Sequence, residues 1–508
     1  MEEDTAQGGH ARRVMAAYES WFLNNGGRAE ANVLYMMGLF DRPTGAAEIA
    51  ALRTPPIKGL TDGLDHSDLH RAIARLRDSG LLGRVDRANA ALDAHPLVRE
   101  YFGAQLREGH PSAWQTAHGR LYEHLRDTSC AKPTTIEATV PLYSAVTHAC
   151  AAGRHNEAFD LYWRRIQREN EYYSLKVLGM LATDAACLED MFEHPWDKPV
   201  PQLSGKRRSV VLDQAGETLH ALGRLSDALT AMRAYLDSAV ATGNSEDAAA
   251  SAITLSELSL TMGKLADAVH YGRESIKFAD KRKGAFHRQV SRSTLADALH
   301  QMGKEAEAEA CFRDAEAIEQ ARTPTRPNLR SMQGYAYCDF LLSRGATDDV
   351  ERRATQMLEW AEADRPLLAI AVAHLARGRA LVLRGANEGP THFDGAANDL
   401  DEALAGFRRA GTELQLPRGL LARAELRRRA GALGPAQVDI DEALEIAVRC
   451  GMRLYEADCR LESARLSIDA GIPTAAQDAF RRARQIVQET NYCRRTRDIR
   501  ELEEYLST

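Results

Sequence analysis

Residues 260–269 read LTMGKLADAV. An apolar helical run reaches Gly263, and a second helical pattern starts directly after it with Leu265, Ala268 and Val269. Glycine accepts the positive φ that ends a helix and reverses the chain, so the stretch predicts two helices joined at Gly263. The same signature stands at 219–229 (LHALGRLSDAL) and 299–312 (LHQMGKEAEAEACF). Working outward, the joint glycines are Gly153, Gly223, Gly263, Gly303, Gly345, Gly385, Gly431 and Gly471, with gaps of 70, 40, 40, 42, 40, 46 and 40 residues. A period near forty is the mark of stacked supersecondary units, none of which can bury its apolar stripe alone.

Two further columns share this register. Five residues after the glycine stands Ala158, Ala228, Ala268, Ala308, Ala436 or Ala476, with Val350 once. In the 46-residue unit an insertion within ANEGPTHFDG moves the column to Ala396. Seven residues before the glycine the side chain is small in seven of the eight units: Gly216, Ser256, Ala296, Cys338, Gly378, Ala424 and Ala464. Two helices cross closely only where small residues meet. These positions resemble those of the tetratricopeptide repeat, in a long variant of ~40 residues. The 70-residue gap, which includes EYYSLKVLGMLATDAACLEDMFEHPWDKPVPQLSGKRR, reads as a degenerate repeat, or as a helix followed by a loop.

Composition agrees with helix. Of 508 residues 44% are apolar, 27% charged and only 6% aromatic, and alanine, leucine, arginine and glutamate dominate. The net charge of -7 invites neither nucleic acid nor an anionic membrane. No run reaches the ~18 apolar residues of a membrane span, and MEEDTAQGGHARR at the start has no apolar signal core. The eight cysteines form no C-x-x-C pair, so buried free thiols and a cytoplasmic location are expected.

Before the repeats the pattern changes. ARRVMAAYESWFL and EANVLYMMGLF read as helices, TGAAEIAALR as a helix with Thr44 as N-cap, and SDLHRAIARLRDSG as a helix capped by Ser67 or Asp68. LLGRVDRANAALDAH alternates like a β-hairpin, and HPLVREYFGAQLREG starts a helix with Pro96 in its first turn. Helix, helix, hairpin, helix is a winged-helix order. Residues 31–108 carry ten Lys/Arg and ten Asp/Glu, so the net basic face of a DNA reader is missing and DNA binding is not expected. The fold class is therefore all-α with one small β-hairpin, a winged-helix domain followed by a tetratricopeptide-like right-handed solenoid. The segments are an N-terminal helical segment (1–30), the winged helix (31–108), a connecting helix (109–137), the solenoid (138–491) and a C-terminal capping helix (492–508).

GLFDRP, LRTPPIKGL, ARLRDSGLL and LDAHPLVREYF, followed by such repeats and by NYCRRTRDIRELEEYL, resemble the C-terminal half of bacterial STAND-type signalling ATPases of the NACHT/NB-ARC-like class. In that class a Met-His-Asp-like motif at the end of the winged helix places a histidine at the ADP phosphate. The resemblance maps it onto Ala94, His95 and Pro96, with departures at the first and third positions. His95 is thus a phosphate sensor toward a nucleotide-binding domain, or it caps its helix or packs beneath the hairpin. The chain has no G-x-x-x-x-G-K-[ST] phosphate loop, so ADP or ATP is expected only on a separate or removed domain. Upstream nucleotide-binding and effector domains are the partners the resemblance implies. No metal-ligand or nucleophile–base pattern stands out among the 16 histidines, and no catalysis is expected.

The resemblance implies a non-catalytic sensor and regulatory module whose repeats bind a protein, peptide or other trigger. A free-standing adaptor, or a transcriptional regulator, would carry the same repeats. The candidate binding surface is the column six residues before each joint glycine: Glu217, Glu257, Asp297, Asp339, Arg379, Glu425 and Arg465. In tetratricopeptide repeats this position faces the inner groove, and stacking turns it into a row. Either the acids pair with arginines on neighbouring helices, such as Arg292 or Arg330, or the negative strip receives a basic or amine-bearing segment of a partner.

Overall fold

A computed structural model describes residues 2–83, 91–281, 284–364, 366–389 and 393–507. It divides into two compact units, residues 1–193 with 200–207, and residues 194–199 with 208–508.

The first unit opens with α1 (Glu2–Asn24), α2 (Arg28–Met37), α3 (Ala46–Arg53), α4 (His66–Asp78) and α5 (Pro96–Gly109). Leu34, Met36, Leu52, Leu76, Phe102 and Leu106 form one buried core among them. Two helix starts differ from expectation. Thr44 is extended and exchanges both backbone hydrogen bonds with Leu92 (2.9 and 2.8 Å), so α3 begins after Gly45 instead. The cap of α4 is Asp65, whose carboxylate accepts from the Asp68 backbone N–H at 2.7 Å, ahead of both residues read as caps. The expected hairpin falls partly on residues 84–90, outside the described residues. Its flanks are paired, Leu82 with Ala94 and Leu92 with Thr44, both antiparallel.

The unit continues through α6 (Pro111–Thr128), α7 (Ile136–Ala151), α8 (His155–Leu161) and α9 (Leu181–Glu189). The long gap between Gly153 and Gly223 therefore holds a helix, but no plain loop follows it. After α9 the strands β1 (Phe192–His194) and β2 (Lys198–Pro199) pair as a small hairpin. A buried carboxylate organises this stretch. Asp184 accepts from the Tyr143 hydroxyl (2.6 Å), the Ser174 hydroxyl (2.8 Å) and the Gln167 amide (3.1 Å).

The second unit is a run of helix pairs: α10 (Gly205–Ala221) with α11 (Leu225–Ala241), α12 (Ser245–Thr261) with α13 (Leu265–Asp280), and α14 (Ala285–Gln301) with α15 (Glu305–Arg322). Then come α16 (Ser331–Ser343) with α17 (Thr347–Asp364), α18 (Leu367–Glu388) with α19 (Phe393–Arg409), α20 (Leu416–Arg429) with α21 (Leu433–Arg449), and α22 (Arg453–Asp469) with α23 (Pro473–Thr490). Helix α24 (Thr496–Ser507) ends the chain. The repeat register explains the packing. Every alanine of the column after the glycine, and Val350 in its place, is fully buried. Ser256, in the small-residue column of α12, donates its hydroxyl to the carbonyl of Ala268 on α13 at 2.7 Å, so the two columns touch where the helices cross.

The joint glycines turn as expected, with φ between 69° and 77° at Gly153, Gly223, Gly263, Gly303, Gly345, Gly431 and Gly471. Gly385 is the exception. Helix α18 runs through it to Glu388 and ends at Gly389 (φ 117°), because the inserted residues delay the turn. Phe393 packs against Gly385, where a Cβ would stand 2.5 Å from the ring.

The last pairs of this unit come back against its early joints. A Cβ at Gly263 would lie 2.8 Å from Thr490 and 2.9 Å from Arg453, and one at Gly303 would lie 3.0 Å from Cys493. Leu265 shares a buried cluster with Leu454, Ala457, Ile486, Val487 and Tyr492. Residues about 200 positions apart thus meet inside one unit, which places the inner faces of early and late first helices opposite each other. Among the described residues no helix is long and apolar enough to cross a membrane.

Candidate functional site

The inner faces of the first helices in the second unit enclose a cavity of about 210 Å³. Its position follows from the register. The residue seven before the joint glycine is spent on the crossing with the second helix. Its neighbour, about 100° further round, points to the inside of the stack. Asp297, Asp339, Arg379, Glu425 and Arg465 of the predicted column all line the cavity. Glu257 stands beside them on α12, close enough to Asp297 for the two carboxyls to repel. Glu217, on α10, is not among the lining residues.

Asp339 is the most heavily engaged carboxylate. Arg494, from the turn before α24, donates to both of its oxygens at 2.5 and 2.9 Å, and Arg379 on α18 forms an ion pair at 2.7 Å. Burial alone would raise this carboxyl, but Arg494 and Arg379 override it and hold Asp339 well below the usual carboxylate range. Arg494 also donates to the Gln301 side chain at 3.1 Å. Asp458 is held in the same way by Arg495 at 2.7 Å and by the Tyr492 hydroxyl at 3.2 Å. Glu425 pairs with Arg429 at 2.8 Å, and Glu462 with Arg428 at 2.6 Å. Arg465 pairs with Asp498 and Glu462.

Two carboxyls have no such cation. Glu257 receives only a 3.4 Å hydrogen bond from the Thr294 hydroxyl, and burial together with the neighbouring Asp297 pushes it up to about 7. Asp297 accepts from the Gln301 amide at 2.7 Å, and burial, then Asp339, raises it. One cation is equally alone. Arg418 on α20 has its guanidinium carbon 5.1 Å from the ring centre of Tyr335 and 5.6 Å from that of Tyr455. Its Nε is buried without a hydrogen-bond partner. Among the described residues Arg418 makes no ion pair.

The arginines named in advance lie elsewhere. Arg292 pairs with Asp280 at 2.9 Å and Arg330 with Glu319 at 3.1 Å. The row is consequently not a negative strip. It is a mixed lining in which late repeats supply the cations. Arg418, Tyr335, Tyr455, Asp458 and Arg494 escaped the sequence reading. A signal existed for two of them: Arg418 and Asp458 each stand thirteen residues before a joint glycine, two helical turns back on the face of the predicted column.

In the first unit His95 is exposed at the start of α5, where its Nδ1 accepts from the Leu97 backbone N–H at 3.3 Å. The neighbouring Ala94 carbonyl accepts from Arg99 Nε at 2.9 Å, and Arg99 also pairs with Asp93.

No protein-family model and no curated protein matches the chain. Solved structures do. One is a Signal Transduction ATPase with Numerous Domains (STAND) protein with a tetratricopeptide repeat sensor from Pyrococcus horikoshii, at 12% identity and a TM-score of 0.34. That alignment covers 94% of this chain and 60% of the other, so the chain spans about 60% of that protein's length. A Rap protein complexed with competence and sporulation factor aligns at 11% identity over 80% of this chain and 96% of its own, with a TM-score of 0.34. The Rap conjugation gene regulator of plasmid pLS20, in complex with the Phr* peptide, does so at 11% over 83% and 96%, with a TM-score of 0.41. At such identities and TM-scores these likenesses carry no statement about what this chain binds.

Proposed function

We propose that the chain is the non-catalytic sensor and regulatory module of a STAND-like signalling protein, with the repeats of the second unit receiving a protein, peptide or other trigger. The observation that carries this reading is the convergence of charged inner-face residues from successive repeats on one cavity, with Arg418 and Asp297 left uncompensated inside it. A scaffold that only needed stability would pair or remove these charges, because a partly buried charge without an ion pair gives up hydration for no compensating contact.

The first unit supplies the coupling half of the reading. Its helices α2 to α5, with Thr44, Leu82, Leu92 and Ala94 paired as short extended segments, support a winged helix over residues 31–108. By the STAND resemblance such a domain responds to a nucleotide held on a domain outside this sequence. His95 is then the residue offered to the phosphate, and its exposure leaves it available for that contact.

The test is selection of peptides from a random display library against the full chain. Enriched peptides are expected to bind at micromolar affinity or better and to lose at least tenfold with Arg418→Ala. Peptide binding indifferent to both Arg418→Ala and Arg379→Ala would overturn the assignment of the cavity. Calorimetry with ATP and magnesium is expected to show no binding, since no phosphate loop is present. Micromolar binding would refute the placement of the nucleotide on another domain.

A further inference from the structure

The lining of the cavity is almost self-sufficient in charge. Asp339, Glu425, Asp458 and Glu462 each hold at least one arginine. Among the described residues this leaves one lining cation, Arg418, and one lining carboxyl, Asp297, without an ion pair. The two sense each other electrostatically, yet they make no ion pair. Arginine cannot shed its proton in a protein, so partial burial leaves the charge of Arg418 in place and favours an anion beside it. The guanidinium carbon lies 5.1 Å from the ring centre of Tyr335 and 5.6 Å from that of Tyr455, a placement that favours its positive charge. Its planar fork matches a carboxylate.

Size and balance narrow the ligand. The volume of about 210 Å³ exceeds the ~150 Å³ of an engineered cavity that accepts benzene. It therefore admits a molecule from an amino acid to a dipeptide in size. A ligand carrying a single charge would complete Arg418 or Asp297 and leave the other alone. A ligand with one charge of each sign completes both.

We infer that the cavity binds a small zwitterion of the amino-acid or dipeptide class, its carboxylate on Arg418 between Tyr335 and Tyr455 and its ammonium against Asp297. This rests on the reading of the cavity as the trigger site and states the chemistry of what enters it. Free amino acids and peptide termini share this chemistry.

Thermal-shift and calorimetric titration of the full chain test the idea. The probes are each of the twenty amino acids, and a degenerate dipeptide pool supplied with free termini, N-acetylated or C-amidated. The free pool, or at least one amino acid, is expected to raise the melting temperature. Capping either end of the dipeptides is expected to weaken binding at least tenfold. A response to amino acids identifies a free metabolite as the source, and a response to dipeptides alone identifies a peptide. Arg418→Gln should erase the difference between free and amidated pools, and Asp297→Asn the difference between free and acetylated pools. Arg418→Lys, which keeps the charge but not the fork, should retain part of the preference for a free carboxylate. Equal binding of all three pools to the unaltered chain, or no response to any probe, would overturn the zwitterion assignment. Display-selected peptides that still depended on Arg418 would in that case leave the trigger site itself standing.

Discussion

Asp339 and Glu257 occupy the same place in two repeats, six residues before Gly345 and Gly263, and they end in opposite electrostatic states. Asp339 is clasped by Arg494 and Arg379 and stays ionised. Glu257 meets a hydroxyl and another carboxyl, and its proton is held up to about 7. Neither difference lies in the repeat itself, since both residues leave the first helix on the same face. It lies in what the returning C-terminal pairs bring to each level of the stack. Arg494, 155 residues away in sequence, reaches Asp339. Glu257 senses Arg418 electrostatically but, among the described residues, forms no ion pair. Position within a repeat thus decides that a side chain faces inward, and closure of the unit decides whether an arginine clasps it.

The sharpest way to break the comparison is Asp339→Asn. Removing that charge strands Arg494 and Arg379, and the loss is expected to reach about 3–5 kcal/mol, as for a buried pair deprived of one member. Denaturant unfolding of the variant measures it. A loss below ~1 kcal/mol, the value of a surface pair, would mean the clasp is solvated.

Glu257→Gln should do the reverse. A carboxyl whose folded value is raised from 4.5 to about 7 binds its proton more tightly in the native state. Its contribution is therefore greatest below the unfolded value and is lost as pH rises from about 4.5 to 7. Replacing it is expected to stabilise the chain at pH 8 by on the order of 2–3 kcal/mol and to give no advantage near pH 4. Unfolding curves of both chains across this range check the sign. Half-buried His220 and buried His300, pushed down to about 4 and about 3 by desolvation, add an opposite slope on acidification to both chains, so only the difference between them is diagnostic.

A smaller change tests the register beneath both residues. Ala296, fully buried next to Asp297, sits where α14 crosses α15. Ala296→Leu is expected to cost about 1–3 kcal/mol by overpacking. Full tolerance would show that the small-residue column does not hold the inner face in place. The smallest effect is expected from a site outside both networks. His95→Ala removes one exposed cap hydrogen bond and should cost about 0.5–1 kcal/mol in a melting experiment. A larger drop would mean that His95 has a structural task beyond its cap.

Much of the architecture was legible because its causes are local. Glycine at the joints, alanine after them and a small residue before them are each demanded by a turn or a crossing within one helix pair. Where local causes compete, legibility fails. Gly385 bears the signature of a joint, but the inserted residues carry α18 past it, and helix continuation wins because nothing in the next three residues stops it. The hairpin at β1 and β2 is too short to announce itself by alternation. Thr44 looks like a cap, yet a strand partner at Leu92 claims its backbone.

The sequence by itself determined the period, the pairs of helices and the inward direction of the charged column, since all three are properties of residues within about forty positions of one another. Only the tertiary structure decided which acid meets which arginine, and that Arg418 and Asp297 are left over. The contacts of Arg494 with Asp339 and Gln301 join positions 155 and 193 residues apart. Their geometry depends on the accumulated turn of every pair between them, and no local pattern encodes that sum.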